Sequence, residues 1–170
     1  MRIDEYIDRF KVKDYSCFEQ FYNETSKQVY FTALGILKES TLAEDIMQET
    51  YISFLESVDR YKKGGNIYAY LTVIARNKSL NHLKKAGRII YDDEIIKTIG
   101  YEPDTGTDGV EEILSLLENP DEREIVVYHV LLDYKFKEIA QIMKKPLGTV
   151  LWRYNKAMKT LREKVEKIYE

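Results

Sequence analysis

One cysteine, three prolines and eight glycines are all that this 170-residue chain holds of the residues that staple or interrupt a fold. A lone Cys17 closes no intrachain disulfide and cannot build a cysteine-based zinc site. It suits a reducing compartment, so a cytoplasmic location is expected. So few helix breakers suit long helices rather than a sandwich with many turns. There is no run of about 18 consecutive apolar residues, so no membrane insertion is expected. The opening stretch, MRIDEYIDRFKVKDYSCF, lacks the apolar core of a signal peptide. His82 and His129 stand apart from each other, and no phosphate-binding glycine loop occurs. No catalytic activity, metal or cofactor is therefore expected.

What the chain does have is segregated charge. The net charge of −3 conceals an acidic block followed by two basic ones. Glu39, Glu44, Asp45, Glu49, Glu56 and Asp59 fall in a stretch with no basic residue. Arg60, Lys62, Lys63, Arg76, Lys78, Lys84, Lys85 and Arg88 follow with no acidic one. From Tyr134 to Lys164, nine basic residues stand against Glu138 and Glu163. Such blocks suggest a polyanion partner and a separate basic partner. The alternative is a set of solvated helix faces.

Hydrophobic spacing predicts an all-α chain of two small helical domains joined by a flexible acidic linker. Phe18, Phe21, Tyr22, Val29, Tyr30, Ala33, Leu34 and Leu37 recur at helical spacing, as do Ala43, Met47, Tyr51, Phe54 and Val58. Gly64-Gly65 stops a helix, and Asn66 can cap the next one. Residues 1–87 form the first predicted domain. Residues 88–109 hold four glycine-or-proline breaks and an acidic excess and read as linker, with a short helix near Glu94 to Ile99. Residues 110–170 form the second domain, where Asn119-Pro120-Asp121-Glu122 looks like a helix start.

Three constellations carry function. In KEIAQIMKKPLGTVLWRYNKAMKTLR, Ile139, Ala140 and Met143 give a short helix its buried side. Pro146 and Gly148 punctuate, and Val150 restarts an apolar face on a helix bearing Arg153, Lys156, Lys159 and Arg162. This is a helix-turn-helix pattern, whose second helix enters the major groove; the alternative is a plain helical hairpin. In AEDIMQETYISF, Asp45 and Glu49 lie four apart on one helix face with Gln48 beside them. A basic partner would relieve their repulsion, whereas no nucleophile or histidine nearby suggests acid–base chemistry. In YKKGGNIYAYLTVIARNKSLNHLKK, Tyr61, Tyr68 and Tyr70 interleave with lysines and Arg76, and Asn77, Asn81 and Lys85 form a row. Aromatic faces beside a cationic groove suit single-stranded DNA; the alternative is that the tyrosines are core.

These segments resemble, in order and spacing, the two conserved domains of extracytoplasmic-function (ECF) sigma factors of the sigma-seventy family. AEDIMQETYISF with AYLTVIARNKSLNHLKK is similar to the domain that grips RNA polymerase and opens the −10 element. PDEREIVVYHVLLDYKFKEIAQIMKKPLGTVLWRYNKAMKTLR is similar to the domain that binds the −35 element. The resemblance implies that Asp45, Gln48 and Glu49 meet the clamp helices of the largest polymerase subunit, with the flap of the second largest as a further contact. It implies a −10 interface of Tyr61, Lys62, Lys63, Asn66, Arg76, Asn77, Lys78, Asn81 and Lys84, with the loop from Tyr61 to Asn66 pocketing a flipped base. It implies a −35 interface of Thr149, Leu151, Trp152, Arg153, Asn155 and Lys156.

Some positions depart from the family pattern. Tyr70 replaces a usual Trp, Asn81 a common Asp, Lys144 a frequent turn Gly, and Leu151-Trp152 a small or basic pair. The expected function is to bind core RNA polymerase, direct it to promoters and help melt the −10 region. The rival is a stand-alone helix-turn-helix regulator, against which the acidic patch and the lack of a dimerisation segment both argue. Many members of the family are held by an anti-sigma factor, and the resemblance leaves such a partner open.

Overall fold

The computed structural model describes residues 2–87 and 109–170. The predicted linker body and the short helix near Glu94 to Ile99 lie outside the described residues. Among those described, helices account for all regular structure: α1 (Ile3–Lys11), α2 (Phe18–Leu37), α3 (Ser40–Glu56), α4 (Ile67–Lys85), α5 (Val110–Ser115), α6 (Pro120–Val126), α7 (Phe136–Met143) and α8 (Leu147–Tyr169).

The helix ends follow local chemistry. The Asn66 side-chain oxygen accepts from the Ala69 amide at 3.2 Å and starts α4. Asn119 does the same for α6, accepting from Asp121 and Glu122 with Pro120 in the first turn. Such caps occupy amides that the first helical turn leaves without partners. α6 runs on into one wide turn, Val127–Leu131, where the Leu132 amide reaches back to the Val127 carbonyl at 3.1 Å. α7 ends at Lys144, whose φ of 53° and ψ of 44° lie in the left-handed region. That explains why glycine is frequent at this turn in the resembled family: a residue with a Cβ is strained there.

The first domain packs α1 to α4 around an aromatic core. Tyr6, Phe10, Phe21, Tyr51, Phe54 and Leu71 are all buried within it. Phe21 stacks on Phe54 at 5.4 Å between centroids, and Phe10 meets Phe21 edge-on at 5.2 Å. α3 turns its Ala43, Ile46, Thr50, Tyr51 and Phe54 side inward, which leaves the Asp45 and Glu49 side in water.

A second core is shared between the domains. Ala33, Leu34, Leu37, Ala43 and Ile46 of α2 and α3 pack in one cluster with Leu114, Ile125, Val127, Tyr128, Tyr134, Ile139 and Val150. Gly35 permits this approach. A Cβ built there would lie 2.9 Å from Val127 Cγ2, closer than two carbons tolerate. The fully buried Arg123 donates from Nε to the Gly35 carbonyl and from Nη1 to the Leu117 carbonyl. The two domains are thus closed on one another, an arrangement that hydrophobic periodicity within each does not announce.

Candidate functional site

The acidic constellation is intact on the surface of α3. Asp45, Gln48 and Glu49 are exposed on one side of the helix, opposite its buried stripe. Glu49 also meets Lys78 of α4, with Nζ and Oε2 3.7 Å apart. A row of carboxylates flanked by one loosely held cation is a surface prepared for a basic partner.

The loop before α4 is more discriminating than its sequence suggests. Tyr61 is buried in the aromatic core at 4% exposure, packs edge-on against Tyr70, and donates its hydroxyl to the Gly65 carbonyl. It therefore shapes the loop from within and presents no ring face to a base. Gly64 takes φ of 77°, and its amide donates to Asp4 Oδ1 at 3.3 Å. A Cβ on Gly65 would meet the Lys62 carbonyl at 3.0 Å. The loop and the start of α1 border an open, shallow cavity of about 210 Å3, lined by Arg2, Asp4, Gly64, Gly65, Asn66 and Tyr68 among others. Tyr68 is partly exposed at its edge and is the aromatic that the cavity offers. Nothing in the spacing separates Tyr68 from Tyr61; only the packing of α1 against the loop does.

Along α4, the predicted strand-facing residues divide. Asn77, Asn81 and Lys84 are exposed, as are Lys62, Lys63 and Asn66 in the loop, with Lys63 ion-paired to Asp8. Arg76 turns instead toward the second domain. Its Nε donates to Glu124 Oε2 at 2.8 Å, and the Tyr128 hydroxyl donates to the same oxygen at 3.2 Å. The Glu124 side chain is 2% exposed and that of Arg76 16%. Burial pushes the Glu124 carboxyl above its ordinary value, and the Arg76 guanidinium opposes that shift. Thr72, one turn before Arg76, shares a hydrogen bond of 3.0 Å with the Tyr134 hydroxyl.

The helix-turn-helix presents α8 as predicted. Leu151, Trp152, Asn155 and Lys156 are exposed near its start, with Thr149 half-buried. The Trp152 ring is the most exposed at 59%, with Arg153 and Lys156 each within 6 Å of its centroid at 5.8 and 5.4 Å. Arg153 is held back by Asp121 at 3.5 Å, which also meets Lys145 at 3.1 Å, and Lys156 pairs with the buried Glu122 at 3.3 Å. The acids that start α6 therefore hold cations at the turn before α8 and on α8 itself, a pairing across the fold with no local mark in the sequence.

Known proteins give the arrangement its context. Residues 21–89 match the family described as Sigma-70 region 2, and residues 111–161 match Sigma-70, region 4. The RNA polymerase sigma factor CarQ of Myxococcus xanthus is 24% identical over 92% of this chain and 94% of its own length. The ECF RNA polymerase sigma factor SigW of Bacillus subtilis is 25% identical over 97% of each chain. Among solved structures, RpoE of Bartonella quintana, crystallised with the anti-sigma factor NepR, superposes with a TM-score of 0.69 at 22% identity, over 88% of this chain and 96% of that one. CnrH, in complex with the cytosolic domain of CnrY, gives 0.67 at 16% identity over 95% of each chain. Among the described residues no helix is long and apolar enough to cross a membrane. With both regions present in order, the chain belongs to the sigma-70 family as an ECF sigma factor, a transcription initiation factor that binds core RNA polymerase and promoter DNA and is not an enzyme.

Proposed function

We propose that the three exposed faces divide the work of initiation. Asp45, Gln48 and Glu49 meet the clamp helices of the largest polymerase subunit, and the second domain reaches the flap of the second largest. The exposed −10 residues Lys62, Lys63, Asn66, Asn77, Asn81 and Lys84, with the partly covered Lys78, hold the unpaired strand. Thr149, Leu151, Trp152, Asn155 and Lys156 face the −35 bases and phosphates. Apolar Leu151 and Trp152 favour thymine methyls over guanine edges there. Work of this kind belongs in the cytoplasm, and the anti-sigma factor bound to RpoE points to a partner of that class here as well.

The observation that carries this reading is the cavity beside Gly64-Gly65. It sits where the family resemblance puts the flipped −10 base, with the Tyr68 ring at its edge to stack on that base and Asn66 to bond its rim. Stacking on an aromatic is worth about 1–3 kcal/mol per base. A fluorescent base in the −10 region reports opening directly. Tyr68→Ala should slow opening by roughly tenfold or more at unchanged core affinity, and Tyr68→Phe should restore it. Opening at the wild-type rate in Tyr68→Ala would refute the base pocket.

A further inference from the structure

Lys62, Lys63, Gly64, Gly65 and Asn66 are exposed in succession. Backbone with so little packed side chain opens easily unless something fixes it. From within, the Tyr61 hydroxyl donates to the Gly65 carbonyl, and the Gly65 amide donates to the Lys62 carbonyl at 3.1 Å. From without, α1 supplies three further holds. Asp4 Oδ1 accepts from the Gly64 amide at 3.3 Å. Asp8 Oδ1 lies 2.5 Å from Lys63 Nζ. Lys11 Nζ donates to the Tyr61 carbonyl at 3.3 Å.

Asp4, Asp8 and Lys11 are spaced four and three apart, so they form one stripe along the helix. It runs beside the buried stripe of Tyr6, Ile7 and Phe10, which anchors α1 in the aromatic core. The helix and the loop meet in opposite directions: Lys11 holds the start of the loop, Asp8 its middle and Asp4 the glycine turn. The Asp8–Lys63 pair is half in water, where an ion pair adds little to stability. The apolar stripe secures the fold; the polar stripe sets where the loop stands against it.

We propose that the Asp4, Asp8 and Lys11 stripe of α1 is a positioning device for base recognition. It holds the loop from Tyr61 to Asn66 in the shape that accepts one extruded −10 base and rejects the others. The proposal rests on the reading of that loop as the base pocket. Asp4 borders the cavity, whereas Asp8 and Lys11 do not line it and act through the loop alone. A site tells similar ligands apart only as sharply as its groups are held, because a loose contact is remade with the wrong partner. Loosening Asp8 and Lys11 therefore blurs the choice of base without removing a group that lines the pocket.

The test is promoter opening by the full chain with core polymerase, on four promoters that differ only at the extruded position, with a fluorescent base elsewhere in the −10 region. Asp8→Asn with Lys11→Met removes one charge of each sign, so the salt-dependent pull on DNA is preserved. The ratio of opening rates between the preferred and the least preferred base should fall at least about fivefold, the lower end of what one well-placed base contact discriminates. Core affinity and the helical circular dichroism should stay as in the wild type. Asp4→Ala should lower the same ratio, and Asp4→Asn, whose side-chain oxygen still accepts from Gly64, should restore most of it. If the double variant loses its helical signal, Lys11→Met alone carries the test. An unchanged ratio in the folded variant would overturn the proposal. So would a loss confined to Asp4→Ala, which would make Asp4 a base contact and leave the stripe without a role. A wild-type chain that opens all four promoters alike would overturn the pocket, and the stripe falls with it. Where the wild type discriminates and Tyr68→Ala slows opening, the pocket stands and the variants judge the stripe alone.

Discussion

The Lys78 ammonium lies 3.7 Å from a carboxylate oxygen of Glu49, joining α4, the helix proposed to hold the open strand, to the acidic patch of α3 proposed to meet polymerase. Both groups are partly in water, so the pair contributes no more than about 1 kcal/mol to stability. Its interest is placement. A basic surface docked on α3 would compete for Glu49 and so release Lys78. Charge reversal should show which role dominates. Close interfacial charge pairs couple by about 1.5–7 kcal/mol. Asp45→Lys with Glu49→Lys should therefore lower affinity for core polymerase at least about tenfold, with the helical circular dichroism unchanged. Wild-type affinity in the folded double variant would remove the patch from the polymerase interface.

The −35 face makes a second expectation, because Asp121 restrains Arg153 and Lys145. Asp121→Asn should release both cations to phosphates. Binding to duplex of any sequence should tighten, and the slope of log affinity against log salt should steepen by about 1–2. Trp152→Ala and Asn155→Ala should instead change which sequences are selected from a random DNA pool. If the Asn155 and Trp152 variants select the wild-type motif, these two side chains do not read bases.

Much of this was legible in the sequence, for reasons that can be stated. The Asn66 and Asn119 caps depend on a few neighbouring residues, so pattern finds them. The acidic row of α3 follows from a single helix period set against a clear apolar stripe. What escaped is non-local. Arg76 reads as a free cation because its partner is 48 residues away, and the row that it shares with Thr72 is polar, without an apolar stripe to mark it as covered. Tyr61 in the loop and Tyr68 in the first turn of α4 are the same residue type a few positions apart, and burial divides them only once α1 is in place. One signal was available: Gly35 inside a long helical pattern costs about 1 kcal/mol against alanine and often marks a close approach of backbones.

The turn before α8 allows a stability test. Lys144 holds φ of 53°, a left-handed conformation that costs a residue with a Cβ about 1 kcal/mol or more. It is exposed and forms no ion pair among the described residues. Part of the strain relieved by glycine is offset by the larger entropy of an unfolded glycine. Lys144→Gly should raise the unfolding free energy of the chain by roughly 0.5–1 kcal/mol in urea titration, with unchanged m-value. A loss of stability would mean that the lysine stem contributes more through packing than the backbone loses to strain.

Lys38 gives the domain closure a pH dependence. It ends α2 in a left-handed conformation and is half-buried. Its ammonium is pushed down from 10.5 to about 8, first by burial and then by Arg123, with Lys164 adding to the shift and Glu118 opposing it. All three of those charges belong to the second domain, so opening returns Lys38 toward an ordinary lysine value. The closed form thus binds fewer protons than the open form between about pH 8 and 10.5. The contribution of Lys38 to closure is complete above that window and is lost as pH falls through about 8. Tyr128 and Tyr134, both raised by burial, act in the opposite sense above about pH 10, which bounds the usable range. In a Gly35→Ala chain, whose added Cβ would crowd Val127 and loosen the packing of the two domains, the radius of gyration should shrink as pH rises from about 7.5 to 9.5. Adding Lys38→Met should flatten that response. A chain whose dimensions ignore pH with Lys38 present, or still respond with Met in its place, would show that closure leaves this ammonium as solvated as it was before.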